Sequence, residues 1–409
     1  MPNMKKGFLL VVVLLLAVNF VAKSTRGNET EELFDAIRLE NVDVVTRLIE
    51  NSSLVNDRNS YELLSLAVAQ NKTDIVKALV DHGADVDSRD KNNTTPLHVA
   101  SLYGRREIIE FLITRGAKVN AEDNDKWTPL HNAARYRKFE IFKYLVEHGA
   151  NINATTVHKY TPLSLAVASG STEIAKYLVE HGADVNSRDE DNYTPLFSAS
   201  LSENLELVEL LITHGANVNA EDDRKWTPLH NVVQQGNYCN MEMVKILVEY
   251  GADVNSRDKD NYTPLYWASK LYLTYGTFEM VKYLITHGAN VNAENNDKWT
   301  PLHEAAEHGT FEMFSYLVEH GANINATTNK NDTPLSLAVQ NGKMQIVKYL
   351  VEHGADVNSR DEYNCTPLHW AYREELRLVE FLITHGAQVN AEDIDKWTPL
   401  HNAARYGNY

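Results

Sequence analysis

Sixteen histidines and two cysteines are the side chains of this 409-residue chain best suited to hold a metal ion or attack a substrate. Six of the histidines (98, 131, 230, 303, 369 and 401) are the last residue of a Thr-Pro-Leu-His tetrad. Eight more (82, 148, 181, 214, 287, 320, 353 and 385) open a recurring His-Gly-Ala, which leaves His158 and His308. A residue tied to one place in a repeating pattern serves the scaffold rather than one ion. The string His303-Glu304-Ala305-Ala306-Glu307-His308 invites a zinc-protease reading, but that chemistry needs His at i and i+4 with Glu between. Histidines five apart point about 140° away from each other on a helix. There is no Gly-rich phosphate loop and no Gly-x-Ser-x-Gly elbow. The expectation is therefore no catalysis, no metal site and no cofactor.

The elements that carry these histidines repeat. Thr-Pro-Leu begins at Thr95, Thr128, Thr161, Thr194, Thr227, Thr263, Thr300, Thr333, Thr366 and Thr398, at intervals of 33, 33, 33, 33, 36, 37, 33, 33 and 32. The stretch DKWTPLHNAARY at Asp125–Tyr136 returns letter for letter at Asp395–Tyr406, the same part of a later unit. Within a unit, Thr is a good N-cap and Pro suits the first helical position, where its missing N–H costs no bond. Leu130, Ala133 and Ala134 at i, i+3 and i+4 give a short first helix one apolar face of mostly small residues. After Arg137-Lys138, the residues Ile141, Phe142, Leu145 and Val146 outline a second amphipathic helix, which Gly149 ends in the left-handed conformation. Helices of about eight to ten residues are not stable alone in water, so each pair must bury its face against its neighbours.

The period, the tetrad and the closing His-Gly-Ala-Asp-Val-Asn or His-Gly-Ala-Asn-Val-Asn resemble the ankyrin-repeat family over nearly everything after residue 24. The resemblance implies an all-α, right-handed ankyrin-repeat solenoid of stacked helix-turn-helix units with projecting β-hairpin fingers. It also implies that the tetrad histidines hydrogen-bond within and between units. Residues 25–60 then form an N-terminal capping helical repeat, 61–393 the ankyrin repeats, and 394–409 an incomplete C-terminal repeat. An apolar face left open there suggests a truncated sequence or a missing downstream region. The chain departs from the family two residues before the capping Thr, where Gly is usual. Asn192 and Asn261 take a left-handed backbone readily, whereas Lys126, Lys225 and Lys298 do so at a cost.

Residues 1–24 read as a signal peptide: Lys5-Lys6, an apolar run from Phe8 to Val18, then small residues around Ala22 and Ser24. Cleavage is expected near Lys23 or Thr25. A signal anchor is the alternative, but Asn19 leaves the run short of the roughly 20 apolar residues that span a bilayer. Either way the repeats are expected to be secreted or lumenal. Sequons at Asn28, Asn51 and Asn71 are then the best glycan acceptors, since those at Asn93, Asn192, Asn261, Asn331 and Asn364 exist partly because the cap must be Thr. Cys239 and Cys365 stand four units apart, roughly 30 to 40 Å for helices that stack at about 8 to 10 Å. A disulfide spans at most about 7 Å between Cα atoms, so no bridge within the chain is expected.

A formal charge of -17 disfavours nucleic acid and anionic membranes and favours a basic or neutral partner. The residue before the capping Thr is aromatic in seven units: Trp127, Tyr160, Tyr193, Trp226, Tyr262, Trp299 and Trp397. In the family this position lies on the finger, toward the side where partners commonly bind. These seven are the expected partner-binding residues of a non-catalytic protein-interaction scaffold. The competing account is that each ring stiffens the array. If the rings bind, replacing Trp226 and Trp299 by Ala should cost at least about 2 kcal/mol of affinity and leave stability nearly unchanged. One alternative is the repeat arm of a larger secreted or toxin-like protein; another is glycan binding, which aromatic faces and carboxylates also serve.

Overall fold

The computed structural model describes residues 28–50, 55, 57–202, 204–235, 240–270, 277–373 and 376–406. The segment read as a signal peptide lies outside the described residues, as do Asn51 and Cys239. The chain divides into two units, Met1–Asp184 and Val185–Tyr409. Each is an all-α stack of helix pairs, as the repeat predicts. The first holds Asn28–Arg38 with Val42–Glu50, Asp57–Ala69 with Thr73–Asp81, Pro96–Tyr103 with Arg106–Thr114, Pro129–Arg135 with Phe139–Glu147, and Pro162–Ala168 with Thr172–Glu180. The second continues the pattern from Pro195–Leu201 with Leu205–Thr213 to the last helix, Pro399–Tyr406.

Local chemistry sets the boundaries. Thr128 is extended (φ -113°, ψ 164°), and its hydroxyl accepts the His131 N–H, while Pro129 opens the helix. Gly149 ends the following helix at φ 86°, the left-handed region where a side chain is strained. Leu130, Ala133 and Ala134 are fully buried, as are Phe142 and Leu145, with Ile141 at 4% and Val146 half-buried. Each buried Leu or Phe contributes about 1.5–3 kcal/mol. Small residues on the first helix let the next repeat approach closely.

Asparagine explains the closing Val-Asn. Asn120 Nδ2 donates to the Gly149 carbonyl of the next repeat (2.8 Å), and its Oδ1 accepts the Asn151 N–H (2.8 Å). In the second unit Asn255 does the same for Gly288 (2.9 Å) and Asn290 (2.7 Å). The Gly carbonyl at a helix end would otherwise lack a donor.

Departures from the 33-residue interval leave marks. Where the interval is 32, the first helix shortens to Pro367–Trp370 and finishes as a 3-10 turn, Ala371–Arg373. At the last helix Leu400 is 75% exposed, whereas Leu130, in the same twelve-residue string, is fully buried.

Candidate functional site

Each finger is closed by one inward-turned side chain. The Asp123 carboxylate accepts the N–H groups of Asp125 (2.9 Å) and Trp127 (2.8 Å), and Asp123 N–H donates to the Trp127 carbonyl (3.0 Å). Asp222, Asp258, Asn295, Asp361 and Asp393 repeat this. Asp222 and Asp258 are buried at 6% and 5% exposure. Much of the finger acidity seen in the sequence is thus used inside the turn. The residue between is left-handed in every finger, including Lys126, Lys225 and Lys298, each at φ 59°. The fingers keep the family's bend without the family's Gly because the Asx closure holds the lysine there. They are tight turns, with no strand among the described residues. Neighbouring fingers share a backbone bond, such as Asn124 N–H to the Asn92 carbonyl at 2.9 Å.

The tetrad histidines bind across repeats. Thr95 N–H donates to His98 Nδ1 (3.1 Å), so the proton sits on Nε2, which donates to the Trp127 carbonyl of the next finger (3.0 Å). His131 reaches the Ala154 and Tyr160 carbonyls (3.1 and 3.2 Å), and His303 those of Ala326 and Asp332 (3.1 and 3.2 Å). Burial pushes His98, His131 and His303 down to about 4 against these backbone bonds. They are neutral struts at pH 7. Among the described residues no three of His, Cys, Asp and Glu gather around a point that could hold a metal ion. Cys365 is free and buried, and burial with the nearby Asp361 carboxylate pushes its thiol up to about 12, so it stays protonated.

The seven finger aromatics fall into different surroundings. Trp127 is half-buried between the His131 ring (centroids 5.7 Å apart) and the Arg135 guanidinium (5.6 Å). Trp397 repeats this with His401 (5.9 Å) and Arg405 (5.0 Å). Tyr160 is half-buried and holds His131 through its carbonyl. Tyr193 stacks on Phe197 at 4.5 Å. Trp226 departs from the expectation: it is only 7% exposed, lying near Trp267 (5.3 Å) and under Arg224 (4.7 Å). So covered a ring offers a partner less surface than the other six.

Tyr262 and Trp299 share one cleft. They line a cleft of about 220 Å³ together with Tyr266, Asp297, Glu304 and Glu307. Tyr266 replaces the tetrad histidine, and its hydroxyl donates to Glu304 Oε2 at 2.8 Å. Glu304 is 3% exposed, and its other oxygen, Oε1, is buried with no hydrogen-bond partner among the described residues. Glu307 is raised above the usual carboxylate range by desolvation, opposed by His308, whose Nε2 is 3.6 Å from its Oε2. The string fails as a zinc helix, and its carboxylates lie along the cleft instead. The signal was present: DKWTPLHNAARY becomes DKWTPLHEAAEH at Asp297–His308, and all three changes, Glu304, Glu307 and His308, line the cleft.

A family model described as ankyrin repeats (3 copies) matches the chain at residues 33–123, 116–189, 156–222, 196–295, 229–328, 271–361, 325–393 and 360–409. No curated protein matches the chain in the comparison made.

Proposed function

The chain belongs to the ankyrin-repeat family, and we propose that it is an exported scaffold that binds a protein partner along its fingers and first helices. Ankyrin repeats are in general protein–protein interaction scaffolds, and proteins built of them are typically non-catalytic. The observation that carries the surface is the finger row itself: Trp127, Tyr160, Tyr193, Tyr262, Trp299 and Trp397 are each partly exposed. Half-exposed Trp and Tyr held by a rigid frame give broad contact with little ordering cost, which is why such residues dominate hot spots. The formal charge of -17 favours a basic or neutral partner.

Export rests on Lys5-Lys6 followed by the Phe8 to Val18 run. Among the described residues no helix is long and apolar enough to cross a membrane. Affinity capture with the secreted chain, followed by mass spectrometry, tests the reading. The expected result is one protein retained by the wild type and lost from a Trp127→Ala, Trp299→Ala double variant that still folds. Retention unaffected by the double variant rejects the finger surface. N-terminal sequencing tests export; cytosolic material that still begins at Met1 rejects it.

A further inference from the structure

The finger that contains Trp299 lacks something the chain supplies elsewhere. In the strings at Asp125–Tyr136 and Asp395–Tyr406, an arginine eight residues after the Trp places its guanidinium over the indole, at 5.6 Å for Arg135 and 5.0 Å for Arg405. At Trp299 that place is held by Glu307, so the cation is replaced by an anion. The residue after the tetrad histidine changes in the same sense. Asn132 Nδ2 donates to the His98 carbonyl (3.2 Å), whereas Glu304 stands in its position and leaves Oε1 buried without a donor. Burying a carboxylate oxygen unpaired costs stability. Nothing in the repeat demands it, because Asn serves at 132 and 402.

We propose that the cleft between Tyr262, Tyr266 and Trp299 receives the guanidinium of an arginine side chain from the partner polypeptide. The cleft carries three carboxylates, of Asp297, Glu304 and Glu307, against one ammonium, of Lys270. That ammonium lies over Trp267, 5.7 Å from the ring centroid. At about 220 Å³ the cleft is smaller than the roughly 300–1,000 Å³ of sites that enclose whole small molecules, which suits a single long side chain. Arginine is favoured over lysine because a planar guanidinium stacks on an aromatic face while its N–H groups donate sideways to carboxylates. The partner's arginine takes the place that Arg135 holds internally, beside Asp297 and Glu307, and reaches Glu304 Oε1 once the side chains over that buried oxygen shift aside.

This inference rests on the protein-binding reading, and its test does not need the natural partner. A Gly-Gly-Arg-Gly-Gly peptide, its lysine counterpart and its neutral citrulline counterpart are titrated into the full chain, following the Trp side-chain N–H resonances by NMR. The arginine peptide should shift Trp299, bind more tightly than the lysine peptide and at least about 10-fold more tightly than the citrulline peptide, as expected for a charge-assisted contact. Glu304→Gln should weaken it about 10-fold or more while still folding, since it removes a carboxylate from the cleft and keeps the side chain's size. A second variant, Glu304→Asn with Glu307→Arg, restores the residues found at 132 and 135 and should abolish binding while folding normally. Citrulline binding as well as arginine, lysine binding as well as arginine, no response at Trp299, or undiminished binding by either variant overturns the proposal. If the arginine peptide fails while affinity capture succeeds, only the cleft is wrong. If the peptide binds and capture retains nothing, the partner reading fails and the cleft stands.

Discussion

The fingers at Trp127 and Trp299 share Asp-Lys-Trp-Thr-Pro-Leu-His and then diverge, and the divergence changes what surrounds the ring. Everything shared does the same work in both: the left-handed lysine, the closing Asp or Asn, the Thr cap, and the histidine reaching the next repeat. What differs lies one turn further on. At Trp127 the ring is completed by the chain's own Arg135. At Trp299 two carboxylates stand where Asn and Arg stood, and one carboxylate oxygen has no hydrogen-bond partner among the described residues. A repeat protein can specialise this way because each unit's fold is already secured by contacts that the changed positions do not make.

The largest effect expected from this contrast concerns Trp226, a third finger ring. Being 7% exposed, Trp226 should cost about 3–5 kcal/mol when replaced by Ala, in the range of other buried Trp truncations. Trp299→Ala, at a half-buried ring whose eighth following residue is Glu307 and not arginine, should cost about 1–2 kcal/mol. Urea unfolding of the two single variants checks this; equal losses would erase the distinction between packing and exposed rings.

Acid should act on what the two fingers share. His98, His131 and His303 are depressed to about 4 by burial, below the roughly 6.5 of an unfolded histidine. The unfolded chain therefore takes up protons first as pH falls. The stability these residues provide is complete above about 6.5 and is lost progressively toward pH 4, on the order of 3 kcal/mol each once both states are protonated. Asp123 and Asp332, raised by desolvation, work in the opposite sense. His131→Ser isolates the histidine. Ser164, in the same position, already accepts its Thr N–H at 2.9 Å, so the variant keeps the cap and loses the titrating strut. Its Tm should fall less steeply than wild type between pH 7 and 4.5; parallel curves would show that these histidines are not the acid-sensitive element.

A milder contrast compares the two identical strings. Leu130 is fully buried, while Leu400 is 75% exposed and Ala403 and Ala404 are exposed as well. The helix Pro399–Tyr406 thus has its sequence in common with a buried helix and lacks its packing. Amide exchange there should be at least about 30-fold faster than over residues 129–136, equivalent to roughly 2 kcal/mol of local opening free energy. Equal protection would mean that the eight-residue helix holds itself together, against its length.

The period, the capping Thr-Pro and the apolar spacing made the helices legible, since each is a local rule repeated ten times. Legibility failed where a side chain's role depends on a neighbour roughly a repeat away. Nothing within the Trp226 string says that Trp267, in the next repeat, will lie against it. Glu304 could be read as a site only against Tyr266, 38 residues earlier, which donates to it. Lys126 is a local exception: the Asx closure by Asp123, three residues before, holds its left-handed backbone. A register of departures from the repeat, Tyr for His at 266 and Glu for Asn and Arg at 304 and 307, would have marked the cleft from sequence alone.

The smallest expected effect bears most directly on the comparison. Arg135 lies 5.6 Å from the Trp127 centroid, and both groups are partly exposed, so the pair is worth about 0.5–1 kcal/mol. Arg135→Gln should cost that much, and Glu307→Arg should return a similar amount by covering Trp299. The second change also removes a carboxylate near Glu304, which adds in the same direction, while His308 loses the acid 3.6 Å away. The net should still be a gain, visible as a Tm rise of a few degrees at most. Chloride separates the contributions: a cation over an aromatic face is screened by salt less than an exposed ion pair. The gain from Glu307→Arg should therefore persist at high salt. If it vanishes there, or if Arg135→Gln costs nothing, guanidinium stacking is not what completes these fingers, and the vacancy at Trp299 loses its meaning as a place for a partner's arginine.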